Sequence, residues 1–133
     1  MPGHLGLGEY ELELHPAEGH TPDGMAVFAP WLGLLVCGDY LSDVEIPMIN
    51  EGGSVDSYRA TLVRLAPLVE QAETVVPGHG SPSGREGALR LLDEDLAYLD
   101  ALQTGERKPK LPDGRDDSRQ RAIHAANLAE LGR

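Results

Sequence analysis

Leu32 to Cys37 is a run of six residues without one polar side chain. Such a run reads as a strand in the middle of a sheet, with both of its faces covered. Met25 to Ala29 is a second short apolar run, and Pro30 with Trp31 lets the chain turn between the two, which makes a hairpin. Glu9 to His15 alternates strictly, with Tyr10, Leu12 and Leu14 on one side and Glu9, Glu11 and Glu13 on the other. That period of two marks a half-buried strand whose glutamates face water and discourage edge pairing.

After Gly38 and Asp39 the period changes. Pro47 to Ser54 is a loop, and beyond it Tyr58, Leu62, Leu65 and Val69 fall on one helical stripe, with Ser54 or Asp56 placed to cap its start. Pro67 cannot donate the backbone hydrogen bond and is expected to end or kink this helix. Thr74 to Val76, followed by Pro77-Gly78-His79-Gly80, reads as a buried strand ending in a tight loop. Ser83 with Glu86 forms a capping box for a helix reaching about Thr104, with Leu89, Leu92, Leu96 and Leu99 as its stripe and Gly105 as its stop. A loop from Lys108 to Gly114 and a last helix from about Asp117 to Leu131 follow. Strand, hairpin, helix, strand, helix, helix is the order of an α/β fold built in α+β layers.

With 133 residues the chain has the size of one domain, the commonest being about 100–150 residues. Twenty-two acidic against eleven basic side chains give a formal net charge of −11, which repels phosphate backbones and anionic lipid heads. Nucleic acid and membrane are therefore not expected partners. No stretch approaches the ~20 continuous apolar residues of a membrane span, and no basic segment leads into an apolar one at the start, so the expected location is cytoplasmic. Cys37 is the only cysteine, which excludes an internal disulfide and fits a reducing compartment.

Two of the five histidines are placed for chemistry. His20 lies in Glu18-Gly19-His20-Thr21-Pro22 between two expected strands, and His79 lies between glycines directly after another. Asp39 follows a third strand end. Strand-end loops of layered proteins are where binding groups gather, because the sheet fixes the backbone while the side chain reaches a crevice. Imidazole with carboxylate suits zinc, manganese or iron. The same glycines serve ordinary turns equally well, with the histidines capping backbone groups, and spacing alone does not separate the two readings.

Glu18-Gly19-His20-Thr21-Pro22, a hairpin, Leu35-Val36-Cys37-Gly38-Asp39, a helix, and Val75-Val76-Pro77-Gly78-His79-Gly80 together resemble the carboxyl-terminal half of the metallo-β-lactamase superfamily, from about Leu12 to about Leu102. The resemblance implies half of an αββα sandwich, one mainly antiparallel sheet with helices on its outer face. It also implies a metal pair, usually zinc, with His20 on the first metal, Asp39 bridging the two and His79 on the second. A hydroxide held by the metals would attack an ester, thioester, amide or phosphoester of a small-molecule substrate. Asp39 is the expected catalytic residue, and Glu45, Asn50, Glu51 and Tyr58 follow it on the stretch that commonly lines the pocket in this family.

The family's H-x-H-x-D-H motif is absent from the sequence. The chain is then expected to be a single unit, residues 1–133, with a core over about 9–105 and a terminal helix over about 117–131. It would be incomplete and inactive alone. The sheet face meant for the other half would expose Met25, Val27, Phe28, Leu32, Leu34 and Val36, which cannot all turn away. A separately encoded amino-terminal half or a second copy of the chain is the expected cover, or else the chain is a fragment of a longer gene product. The competing reading is a non-catalytic remnant that works as a binding or subunit-interaction module. Cys37 is expected as a buried small hydrophobe, Trp31 as packing at the hairpin tip, and Arg115, Arg119, Arg121 and His124 as the polar side of the last helix.

Overall fold

The computed structural model describes residues 3–50, 52–106 and 108–132. Six strands form one sheet in chain order: β1 (Gly3–Leu7), β2 (Tyr10–Pro16), β3 (Met25–Ala29), β4 (Leu34–Val36), β5 (Thr74–Val76) and β6 (Ser83–Gly84). Neighbours run antiparallel except β4 and β5, which are parallel with Leu35 beside Val75. A parallel pair needs a crossover, and helix α1 (Val55–Gln71) supplies it. Helices α2 (Arg85–Gln103) and α3 (Ser118–Glu130) follow, which makes an open α+β arrangement of one mostly antiparallel sheet and three helices.

The strand register sorts the side chains by face. Glu13, Phe28, Leu35 and Val75 stand in one row across β2 to β5, and Leu14, Val27, Val36 and Val76 in the adjacent row on the opposite face. Phe28, Leu35 and Val75 are buried in one cluster with Tyr58, Leu62, Leu65 and Val69 of α1 and Leu92 and Leu99 of α2. The other face is open. Phe28 is 2% exposed, whereas Met25 is 51%, Leu32 58% and Val36 39% exposed. Val27 and Leu34 are half-buried. Leu34–Val36 is thus interior to the sheet by pairing yet covered on one face only, which corrects the expectation of two covered faces.

The alternating strand also points differently from expectation. Tyr10, Leu12 and Leu14 belong to the open face, and the glutamate side continues the row that the helices cover further along. Trp31 stacks on Tyr10 with ring centroids 5.1 Å apart and so covers part of that face. Strand β1, whose leucines alternate with glycine and histidine, extends the open face by pairing Leu5 with Leu12.

Ser54 caps α1, its side chain accepting from the Ser57 amide. Pro67 neither ends nor breaks the helix, which runs on to Gln71. Val63, whose carbonyl loses its partner to the proline, lies on the exposed side, where water can serve that oxygen. The capping box does not form. Ser83 pairs with Val75 in β6, and Gly84 caps α2 without a side-chain bond.

Arg115 also departs from expectation. It is not on the polar side of a helix but buried, bonded to Asp95 of α2 at 2.6 Å and to the Glu45 carbonyl at 3.1 Å. No helix of the described residues is long and apolar enough to cross a membrane.

Candidate metal centre

His20 lies on the loop from β2 to β3, which folds back onto the start of α1. Gly19 has φ +136, and a Cβ there would run into the Tyr58 backbone, so only glycine lets the loop lie this close. The Ser54 amide donates to the Gly19 carbonyl at 3.1 Å, and the Asn50 amide to the His20 carbonyl at 3.2 Å. Tyr40 and Thr61 hydroxyls both donate to the Glu18 carbonyl, at 2.6 and 2.7 Å. Burial pushes the Tyr40 hydroxyl up to about 12, so it stays a donor at neutral pH.

The His20 ring is fixed at both nitrogens. Nδ1 lies 2.7 Å from the Met48 carbonyl, which can only accept, so Nδ1 carries the hydrogen. In the neutral ring Nε2 is then an acceptor, and the Asn50 side-chain amide donates to it at 3.2 Å. Asp39 Oδ2 lies 3.5 Å from the same Nε2. A carbonyl holding one ring nitrogen while the other meets a carboxylate is the arrangement that prepares an imidazole to ligate a metal. Two electron-rich atoms at this separation favour a cation beside them, which would displace the Asn50 hydrogen bond. His20 and Asp39 are thus two donors of the types that a divalent metal takes, fewer than the three or four protein ligands of a zinc site. Ala17, Cys37, Gly38 and Tyr40 help enclose a cavity of about 40 Å³ beside them, the size for an ion and not for an organic substrate.

His79 approaches through the backbone. The Gly78 amide donates to the Gly38 carbonyl at 2.6 Å, which sets the two strand-end loops side by side. Asp43 holds the far side of the His79 loop, its Oδ1 accepting from the Ser81 amide at 2.9 Å. That carboxylate occupies the space a Cβ on Gly80 would need, and Gly80 has φ +103. The His79 side chain itself is exposed, and among the described residues no group of three or more His, Cys, Asp or Glu is poised to hold a metal. His20 and Asp39 meet; His79 is their neighbour by loop and not by side chain.

The remaining candidates separate clearly. Asn50 touches His20. Glu45 turns its carboxylate to Arg119 at 3.0 Å and its carbonyl to Arg115. Tyr58 is buried against Tyr40 with ring centroids 4.4 Å apart. Glu51 lies outside the described residues. Cys37 is buried, its thiol donating to the Tyr40 carbonyl at 3.0 Å, and burial pushes it up to about 12, so it is no nucleophile at neutral pH. Sequence reasoning missed Met48 and Asp43. Met48 acts through its backbone, which leaves no trace in a residue pattern, and Asp43 carries no spacing signal.

Solved structures share this arrangement of strands, loops and helices. A metallo-β-lactamase from Pontibacter korlensis aligns over 75% of this chain and 46% of its own, with 25% identity and a TM-score of 0.60. A metallo-β-lactamase family protein from Thermus thermophilus aligns over 98% and 48%, with 24% identity and a TM-score of 0.61. The fold is the metallo-β-lactamase fold, in part. A stereoselective inverting sec-alkylsulfatase from a Pseudomonas species aligns over 96% of this chain and 24% of its own, with 13% identity and a TM-score of 0.69. The chain spans less than half the length of each of these metallo-β-lactamase-fold structures. No protein-family profile and no curated protein sequence matches it.

Proposed function

We propose that this chain contributes His20, Asp39 and His79 to the metal centre of a metal-dependent hydrolase, with zinc as the cation and manganese or iron as the alternatives. The observation that carries the reading is His20, held at Nδ1 by the Met48 carbonyl and aimed at Nε2 toward Asp39, 3.5 Å away. A divalent cation bound there supplies a nucleophile from water at neutral pH and positive charge for the developing oxyanion. Asp39 would hold the cation by its carboxylate and His20 by Nε2. Asn50, released from Nε2, would offer its amide to a carbonyl or phosphoryl oxygen of the substrate. The substrate class is an ester, thioester, amide or phosphoester of a small molecule.

The partner in this reading is an amino-terminal half carrying H-x-H-x-D-H, or a second copy of the chain, laid on the open face formed by Met25, Val27, Leu34 and Val36. The alignment to about half of the Pontibacter and Thermus proteins supports the first. A non-catalytic binding module is the second reading, favoured by the missing three-ligand group among the described residues.

Metal content decides between them. The full chain and its Asp39→Ala variant are equilibrated with excess zinc, freed of unbound metal and analysed for zinc per chain. Stoichiometric zinc in the first, lost in the second, supports the metal centre; none in either supports the binding module.

A further inference from the structure

The segment Glu45–Asn50 reaches the candidate site without any regular secondary structure, so its backbone groups must find partners elsewhere. They find them on two sides. Toward the site, the Met48 carbonyl accepts from His20 Nδ1 at 2.7 Å and the Asn50 amide donates to the His20 carbonyl at 3.2 Å. Away from it, the Ile46 amide donates to Gln120 Oε1 at 2.7 Å and the Ile49 amide to Asn127 Oδ1 at 2.9 Å. Asn127 Nδ2 donates to the Pro47 carbonyl at 2.8 Å and to the Tyr98 hydroxyl at 3.0 Å. Gln120 and Asn127 are both fully buried.

The spacing of these contacts is matched. Gln120 and Asn127 lie two turns apart on one face of α3, a rise of about 10 Å. Ile46 and Ile49 lie three residues apart, a separation that reaches about 10 Å when a chain is extended. The helix therefore offers two amide side chains at the repeat that the strap requires. A one-residue slip of the strap would lose both bonds and move the Met48 carbonyl away from His20.

We propose that α3 is a positioning element for the candidate metal centre: Gln120 and Asn127 fix the register of Glu45–Asn50 and, through the Met48 carbonyl, the ring orientation of His20. The consequence for metal binding rests on the function proposed above, but the positioning itself is a property of the metal-free chain. Gln120 and Asn127 thus act on His20 from about a hundred residues further along the sequence.

The test reads the His20 ring directly, by two-bond proton–nitrogen spectra of the nitrogen-15-labelled full chain without metal, at one pH well above the imidazole range. The expected result for the unaltered chain is a single tautomer with the hydrogen on Nδ1. Asn127→Leu is expected to give a tautomer mixture at His20 and at least tenfold faster hydrogen exchange at the Ile49 amide. Leu62→Ala, which destabilises the core of α1 instead, is expected to keep the single tautomer. An unchanged His20 pattern in Asn127→Leu, or an equal change in Leu62→Ala, would overturn the proposal. If Asn127→Leu does not fold, Gln120→Leu is read the same way at the Ile46 amide, and no change at His20 there overturns it equally. Because no metal is added, a chain that fails to bind zinc counts against the proposed function and leaves this result standing.

Discussion

Arg115 donates to Asp95 at 2.6 Å with both side chains withdrawn from solvent, joining the loop before α3 to the middle of α2. Burial outweighs the arginine and lifts the Asp95 carboxyl from 3.8 to about 7. A folded-state value above the unfolded one means that the folded chain keeps a proton the unfolded chain has released. This contribution to stability is full below about pH 4 and is lost as the pH rises toward 7. Asp95→Asn should flatten that part of the profile, read as urea midpoints at pH 4.5 and pH 8; an unaltered slope would contradict it. Arg115→Met removes the buried donor to Asp95 and to the Glu45 carbonyl, and should lower the urea midpoint at every pH.

The two faces of the sheet should respond oppositely to substitution. Phe28 lies under the helices, and Phe28→Ala should cost about 3–5 kcal/mol in a urea melt. Val36 is on the open face, and Val36→Thr should stay within about 0.5 kcal/mol. Changing Met25 and Val36 to lysine should also lower the binding of a hydrophobic dye. A large loss of stability at Val36 would mean that the face is covered within the chain.

Gly19 should resist any side chain. Its positive φ and the Tyr58 backbone beside it predict a loss of about 2 kcal/mol or more for Gly19→Ala, measured as a urea midpoint. Gly6, with no atom near its added Cβ, should accept alanine with little change. Equal effects at the two positions would show that the loop can move off α1.

The sequence exposes its fold where one element reports its own surroundings. The stripe Tyr58, Leu62, Leu65, Val69 and the cap Ser54 are local features, and α1 carries them as read. Coverage of β4 was not local: the same apolar run suits a strand covered on both faces or one with a face left open, and only the register shows which. Ser83 is not the cap because it pairs with Val75 in the sheet and α2 begins beyond it, with Gly84 at the cap position. At the candidate site, the loops that carry His20 and Asp39 were legible because glycines mark them, and the two side chains meet there. The Met48 carbonyl and the side chains of Gln120 and Asn127 were not, since a backbone oxygen and two amides some 70 to 80 residues away leave no periodic signal.

Zinc affinity of the full chain, measured calorimetrically beside Asp39→Ala and His15→Ala, is the most direct test of the site. His15 pairs with Glu13 at 2.9 Å on the strand and offers a rival imidazole and carboxylate away from the strand-end loops. The expected result is a loss of at least tenfold in affinity for Asp39→Ala and none for His15→Ala. Equal affinity in Asp39→Ala and the unaltered chain, or a matching loss in His15→Ala, would contradict a metal centre at His20 and Asp39.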